Sequence, residues 1–137
     1  MSETMLDRAF TNYNAAKVLL VNMSCDEMFL NLVGYHLQQA VELTIKFLLE
    51  INGVRYPKIH TIEQLIALGN ENDVDMHKCE YVEDHAEMFT AWESKSRYIM
   101  NYKLEQKKIE RAVMEVEKFL QSVRSAEQSD ATQMKSF

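Results

Sequence analysis

Glycine and proline are scarce in this 137-residue chain, which has three of the first and one of the second. A many-stranded barrel or sandwich needs one or the other at nearly every turn, so both architectures are excluded. Cysteine is almost as rare. Cys25 and Cys79 are too few and too widely separated for a disulfide framework, and a buried thiol in a reducing compartment is the expectation. No apolar stretch approaches the roughly 20 residues that cross a bilayer, so no membrane-spanning segment is expected. Met1-Ser2-Glu3-Thr4 has neither the basic start nor the apolar core of a secretory leader, which makes the cytoplasm the expected location. Basic residues are outnumbered, 15 Lys and Arg against 21 Asp and Glu, giving a net charge of −6. The molecule as a whole does not attract a polyanion, and any contact with nucleic acid must come from a local basic patch.

What is present points to helix. Apolar residues make up 47% and charged residues 26%, the balance of a folded soluble domain, and the length suits one domain. Nine Met, with many Leu, Glu, Lys and Gln, favour helix over strand. Five segments carry helical spacing. In the first, Ala9, Tyr13, Ala16, Leu20 and Met23 recur at steps of three and four, flanked by Leu6 and Phe10, and Thr4 or Ser2 can cap its start. Ser24-Cys25-Asp26-Glu27 is a capping box that opens the second helix and closes the first. The second carries a broad stripe of Leu30, Val33, Leu37, Ala40, Thr44, Phe47 and Ile51, with Gly34, Val41, Ile45 and Leu48 beside it. Asn52-Gly53 supplies the left-handed residue that ends it, and Pro57 blocks a restart.

Thr61-Ile62-Glu63-Gln64 repeats the capping-box spacing and opens a short third helix with Ile62, Leu65, Ile66 and Leu68, closed by Gly69. A fourth is expected from about Met76 to Tyr98, with Cys79, Val82, Ala86, Phe89 and Trp92 on one side. A fifth is expected from about Leu104 to Val123, with Ile109, Ala112, Val116, Phe119 and Val123 at the same spacing. Periodicity stops there, so residues 124–137 read as a polar, solvated tail on a bundle made of residues 1–123. The expected class is all-α, an antiparallel up-and-down bundle of four long helices and one short one.

The run Tyr35-His36-Leu37-Gln38-Gln39-Ala40-Val41-Glu42-Leu43-Thr44-Ile45-Lys46 resembles the second helix of HEPN domains, with its Gln-Gln-Ala, then Glu, then Lys. The following Asn52-Gly53, Tyr56-Pro57-Lys58 and His60 are similar to that family's glycine turn and Pro-Lys-x-His step. Ser96-Arg97-Tyr98 resembles the Arg-Tyr pair that small stand-alone members carry near the end of their fourth helix. The resemblance implies a helical bundle that forms a homodimer and works near nucleotides or RNA. Many members sit beside a minimal nucleotidyltransferase as a toxin–antitoxin pair. Others are metal-independent RNA endonucleases whose Arg-x(4–6)-His motifs, one from each protomer, form one cleft.

The chain departs from the nuclease pattern. Counted from Arg97, the positions that should hold His are Tyr102, Lys103 and Leu104. A metal-free ribonuclease needs a group to help deprotonate the ribose 2′-hydroxyl and another to protonate the leaving oxygen, and imidazole suits both near neutral pH. Tyr102, with an ordinary pKa near 10, can donate a proton but is a poor base. Arg97 nevertheless stands in a basic patch. From Lys95 to Lys108 there are five basic residues and one acid, whereas Glu71 to Glu93 holds eight acids and Lys78 as the single base. On a helix Asn101 shares the face of Arg97 and Tyr102 is one residue further on, so Lys95, Arg97, Tyr98, Asn101 and Tyr102 form a set able to hold a phosphate and stack a base.

Gln39, Glu42 and Lys46 form a second stripe, with Tyr35, on the less apolar side of the second helix; Glu42 and Lys46 have the spacing of an intrahelical ion pair. Together with His60 they are expected to be structural polar residues that orient a neighbouring helix or loop. His77, Cys79 and His85 match no zinc spacing, and no phosphate loop, nucleophile elbow or dinucleotide fingerprint is present, so neither a metal nor a cofactor is expected. The leading expectation is a dimeric helical module that binds a nucleotide, an RNA or a partner protein such as a minimal nucleotidyltransferase, without strong catalysis of its own. The alternatives are a metal-independent endoribonuclease with a degenerate Arg-x4-Tyr motif, in which Arg97 and Tyr102 are catalytic, and a purely structural dimer.

Overall fold

The computed structural model describes residues 3–23, 27–56, 58, 61–77, 79–98 and 106–135, with the side chains of 23, 27, 28, 94–98 and 129–135 outside that description. The described residues form six helices and no strand. They are α1 (Met5–Met23), α2 (Glu27–Ile51), α3 (Ile62–Glu71), α4 (Glu80–Asp84), α5 (Ala86–Tyr98) and α6 (Gln106–Lys135). None is long and apolar enough to cross a membrane.

Local chemistry sets most of the boundaries. At the start of α1 the Thr4 hydroxyl accepts from the Asp7 amide (3.1 Å) and the Asp7 carboxylate accepts from the Thr4 amide (3.0 Å), a reciprocal cap. Those hydrogen bonds, the backbone one foremost, hold the Asp7 carboxyl below its ordinary range, with Arg124 adding to the effect. The Ser24 capping box and the alternative cap Ser2 lie outside the described residues. At the end of α2, Gly53 takes φ 71°, its amide donates to the Glu50 carbonyl (3.0 Å), and the Val54 amide reaches the Leu49 carbonyl (2.9 Å). This is the left-handed closure expected of Asn52-Gly53.

Three expectations need correction. Gly69 does not close α3: the helix runs on to Glu71 and is capped by Asn72. Gly69 is instead the point where the buried Met76 side chain folds back, because a Cβ there would overlap the Met76 methyl, with Leu49 close behind. The single fourth helix is divided in two and begins later. Asp73 and His77 take φ 55° and 54°, and the Asp75 carboxylate accepts from the His77 amide (2.8 Å), a turn that delays the helix to Glu80. α4 and α5 are separated at His85, whose backbone turns to φ −115° and ψ 20° while its amide and its ring Nδ1, the ring at 2.8 Å, both meet the Tyr81 carbonyl. Finally, α6 does not stop at Val123; its backbone stays helical to Lys135.

The core is gathered around α2, which touches α1, α3, α5 and α6. Leu37, Ala40, Val41, Ile45, Leu48 and Leu49 are fully buried along it, and each large side chain among them contributes about 1.5–3 kcal/mol. The stripes expected in α1 (Ala9, Tyr13, Ala16), across α4 and α5 (Cys79, Val82, Ala86, Phe89, Trp92) and in α6 (Ile109, Ala112, Val116, Phe119, Val123) are buried as well. Ile51, assigned to the α2 stripe, is 48% exposed at the helix end, and Phe47 is half-buried. Helix directions follow from side-chain pairs. Asp7 meets Arg124 (3.6 Å) and Tyr13 meets Glu117 (2.9 Å), so α1 and α6 run opposite ways. Asn12 meets His36 (2.9 Å) and Met5 lies against Tyr56, which does the same for α1 and α2.

Candidate functional site

The polar stripe of α2 is less exposed than its composition suggests. Glu42 is buried, and Lys46 Nζ lies 3.7 Å from its Oε2 with both side chains largely withdrawn from water. Tyr35, Gln39 and Lys46 stay half-buried beside the fully buried apolar stripe. In this setting the attraction is stronger than at a surface, and so is the desolvation that opposes it. The Lys46 ammonium also stands 5.6 Å from the centre of the Tyr56 ring, and the Tyr56 hydroxyl donates to Glu50 Oε1 (2.8 Å). Burial and the neighbouring Glu50 push the Tyr56 phenol up to about 12. The group thus ties the last turns of α2 to the chain that leaves it. One turn earlier Gln39 Nε2 donates to Gln38 Oε1 (2.7 Å). Gln38 is fully buried, and its own Nε2 finds no acceptor among the described residues.

Tyr35 packs edge-on against His36, with ring centres 5.5 Å apart. The Asn12 amide is oriented by donating its Nδ2 to the Arg8 carbonyl (3.0 Å), which turns Oδ1 toward His36 Nδ1 (2.9 Å). His36 is therefore read as carrying its proton on Nδ1, and burial lowers its pKa below the ordinary value.

Of the expected ligand set, Lys95, Arg97 and Tyr98 belong to the last turns of α5, with their side chains outside the described residues; Asn101, Tyr102 and His60 lie outside them altogether. What the structure does describe is how α5 is held. Phe89 and Trp92 are fully buried and meet edge-to-face, ring centres 5.3 Å apart. Between them, Thr90 reaches across to the start of α3. Its hydroxyl oxygen accepts from the Ile62 amide (3.0 Å) and its proton goes to Glu63 Oε1 (2.7 Å). Thr61 accepts from the Gln64 amide (3.4 Å), and its hydroxyl donates to the Gln64 carboxamide oxygen (2.6 Å). One arm of the expected capping box is thus kept, and Thr90 from a different helix satisfies a further first-turn donor, the Ile62 amide.

A second cluster was not foreseen. Tyr81 and His85 stack, ring centres 4.1 Å apart and 23° from parallel, and the Arg111 guanidinium stands 5.9 Å from the Tyr81 ring. Glu115 holds Arg111 (3.2 Å) and Lys118 (3.4 Å) on the same stretch of α6. The i, i+4 spacing of Tyr81 with His85 and of Arg111 with Glu115, and the i, i+3 spacing of Glu115 with Lys118, are visible in the sequence; their meeting between α4 and α6 is tertiary. Beside them Cys79 is buried, and burial, reinforced by Glu83 with its oxygen 3.8 Å from the sulfur, pushes the thiol up to about 12. That chemistry is inert rather than nucleophilic. Among the described residues no three His, Cys, Asp or Glu side chains could jointly hold a metal ion.

Comparison with known families matches most of this framework to one model. The model described as HEPN domain matches residues 2–126, from ahead of α1 to the turn of α6 that carries Arg124. Comparison with curated proteins returned no match, and neither did comparison with solved structures.

Proposed function

The chain belongs to the HEPN domain family, and on that premise we propose that it is a dimeric helical module that binds a nucleotide, an RNA or a partner protein of the minimal nucleotidyltransferase type, without strong catalysis of its own. Arg97 is the ligand-contacting residue of this reading, assisted by Lys95, Tyr98, Asn101 and Tyr102. The observation that carries it is the position of Arg97 in the last turn of α5, inside the matched span, at the head of a stretch with five basic residues and one acid. A guanidinium there can engage a phosphate with two parallel hydrogen bonds while the tyrosines offer faces for a base. The expected up-and-down arrangement of the long helices belongs to the same reading and is supported by the opposed directions of α1 against α2 and α6. Non-catalysis rests on Tyr102, Lys103 and Leu104 standing where an imidazole would be needed.

Two assays on the purified chain and on Arg97→Ala test the reading. In excess EDTA neither protein should cleave a labelled RNA pool in an Arg97-dependent way. In thermal melts, a bound nucleotide or RNA at about 100 times its Kd should stabilise the parent by about 2.7 kcal/mol and leave Arg97→Ala unmoved. Cleavage by the parent alone, leaving cyclic-phosphate ends, would replace binding by endoribonuclease chemistry through Arg97 and Tyr102. A change confined to oligomeric state would reduce Arg97 to an interface brace.

A further inference from the structure

The hairpin of α1 and α2 carries a second stripe at helical spacing, turned away from the core. On α1 it is Thr11, Ala15, Val18 and Asn22, at steps of four, three and four; on α2 it is Leu32, Tyr35 and Gln39, at steps of three and four. Val18 is 60% and Leu32 41% exposed, so large apolar side chains stand in water on both helices. We infer that a second copy of this chain covers this stripe, hairpin on hairpin, about a two-fold axis that lays α1 of each copy over α2 of the other. The inference rests on the dimer of the reading above, for which it names the surface, and makes no use of Arg97.

Charge singles out this face and its occupant. In residues 9–22 and 29–41, 16 positions reach the surface and one, Lys17, is charged. On α6 from Gln106 to Lys118, ten reach the surface and seven are charged, so the hairpin is depleted rather than merely helical. Lys17 lies off the stripe, its Nζ 5.7 Å from the centre of the Tyr13 ring. An RNA finds no cation on the stripe. Near a two-fold axis a residue meets its own copy, so any charge there faces its like, and two chains of net charge −6 repel already. A face emptied of charge is what a second copy requires. A partner of different sequence tolerates charge on this face and gains steering from it.

The polar members of the stripe are already provided for. The Thr11 hydroxyl donates to the Asp7 carbonyl (3.1 Å), Asn22 Nδ2 to the Val18 carbonyl (2.8 Å) and Gln39 Nε2 to Gln38 Oε1 (2.7 Å). Covering these groups keeps those hydrogen bonds, so the desolvation cost is small. Shape sets the pairing. The α1 stripe is small and the α2 stripe holds Leu32 and Tyr35, so the ridge of one helix fits the shallow face of the other. Asn12 meets His36, which puts Ala15 level with Leu32 and Val33 across the antiparallel pair. A two-fold axis running along the hairpin keeps that level and sets Ala15 of each copy opposite Leu32 of the other.

The test is sedimentation equilibrium of the full chain, with the parent expected at twice the chain mass. Ala15→Glu and Leu32→Lys, both at outward positions, should each weaken the dimer at least tenfold, with melting curves confirming that they fold. Mixed in equal amounts they should form a mixed dimer, because the introduced carboxylate and ammonium then face each other across one of the two α1–α2 contacts. Met114→Glu, at a position of α6 that is 58% exposed, is the control and should change the dimer less than twofold. A monomeric parent would overturn the inference, as would a dimer that survives both hairpin substitutions. So would two monomeric variants that fail to pair when mixed. Arg97→Ala should stay dimeric, so loss of ligand binding in the thermal melts is read separately from loss of this interface.

Discussion

Thr90 is the side chain that fixes α5 along its own axis, and replacing it isolates that function. Thr90→Val keeps the shape and β-branching but removes both hydrogen bonds: the one accepted from the Ile62 amide at 3.0 Å and the one donated to Glu63 Oε1 at 2.7 Å. Ile62 is fully buried, so its amide at the first turn of α3 is left without an acceptor; an orphaned buried donor costs about 1–3 kcal/mol. Glu63 is only half-buried and recovers part of its loss from water. The expected destabilisation is about 2 kcal/mol. With a urea m-value of about 2 kcal/mol/M for a domain of this size, the unfolding midpoint falls by about 1 M at unchanged m. Thr90→Ser keeps both hydrogen bonds and loses one methyl, so it should recover at least half of the difference. If Thr90→Val unfolds within about 0.5 kcal/mol of the parent, or Thr90→Ser is as unstable as Thr90→Val, the Ile62 amide does not depend on this hydroxyl and the reasoning fails. The consequence reaches the proposed site. Arg97 lies seven residues beyond Thr90, about 10 Å further along the same helix, so loosening this anchor should also weaken any Arg97-dependent binding.

His36 gives a pH-dependent expectation. Burial lowers its folded pKa below the unfolded value near 6.5, so its contribution to stability is complete above pH 6.5 and is lost as pH falls toward the folded pKa. Urea melts between pH 7.5 and 5 should show this loss in the parent and a smaller one in His36→Gln; parallel pH profiles would contradict it. Cys79, buried and with its thiol pushed up to about 12, should resist alkylation at pH 8 in a Cys25→Ser background and react only as the protein unfolds. Labelling of folded protein at the rate of a free thiol would refute that.

The stripes of α1, of α4 with α5, and of α6 were legible because one rule governs them: a helix that buries one face repeats its apolar residues every three or four positions. The same rule fails where burial is decided by something else. Gln38 is fully buried on α2 although an amide reads as a surface residue, and Ile51 is exposed because the helix ends beside it with too little structure left to cover it. The break at His85 is a local change of backbone angles, to φ −115° and ψ 20°, inside a continuous apolar stripe. No spacing of apolar residues records it. Nor could spacing find the end of α6. Residues after Val123 have no apolar stripe, yet Ala, Glu, Gln, Met and Lys are among the better helix formers and continue a helix already nucleated by its packed part.

Arg124 shows why reading that boundary from hydropathy alone misplaces a packing residue. As the first residue after the last apolar position it reads as the start of a solvated tail. Its guanidinium instead lies 3.5 Å from the centre of the Phe10 ring and 3.6 Å from an Asp7 oxygen, against the first turns of α1. A planar cation can cover an aromatic face and meet a carboxylate at its edge, which makes it a packing group that pattern rules count as polar. The family match ends two residues later, at 126. Polar residues that act through tertiary partners leave no period in the sequence: Arg124 on Phe10, Thr90 on Ile62, Tyr81 beneath Arg111. These pairings tie α6 to α1, α5 to α3 and α4 to α6. Arg97 differs in kind, because it was found by its resemblance to a family motif rather than by any period, and its placement depends on the very anchors that periodicity cannot see.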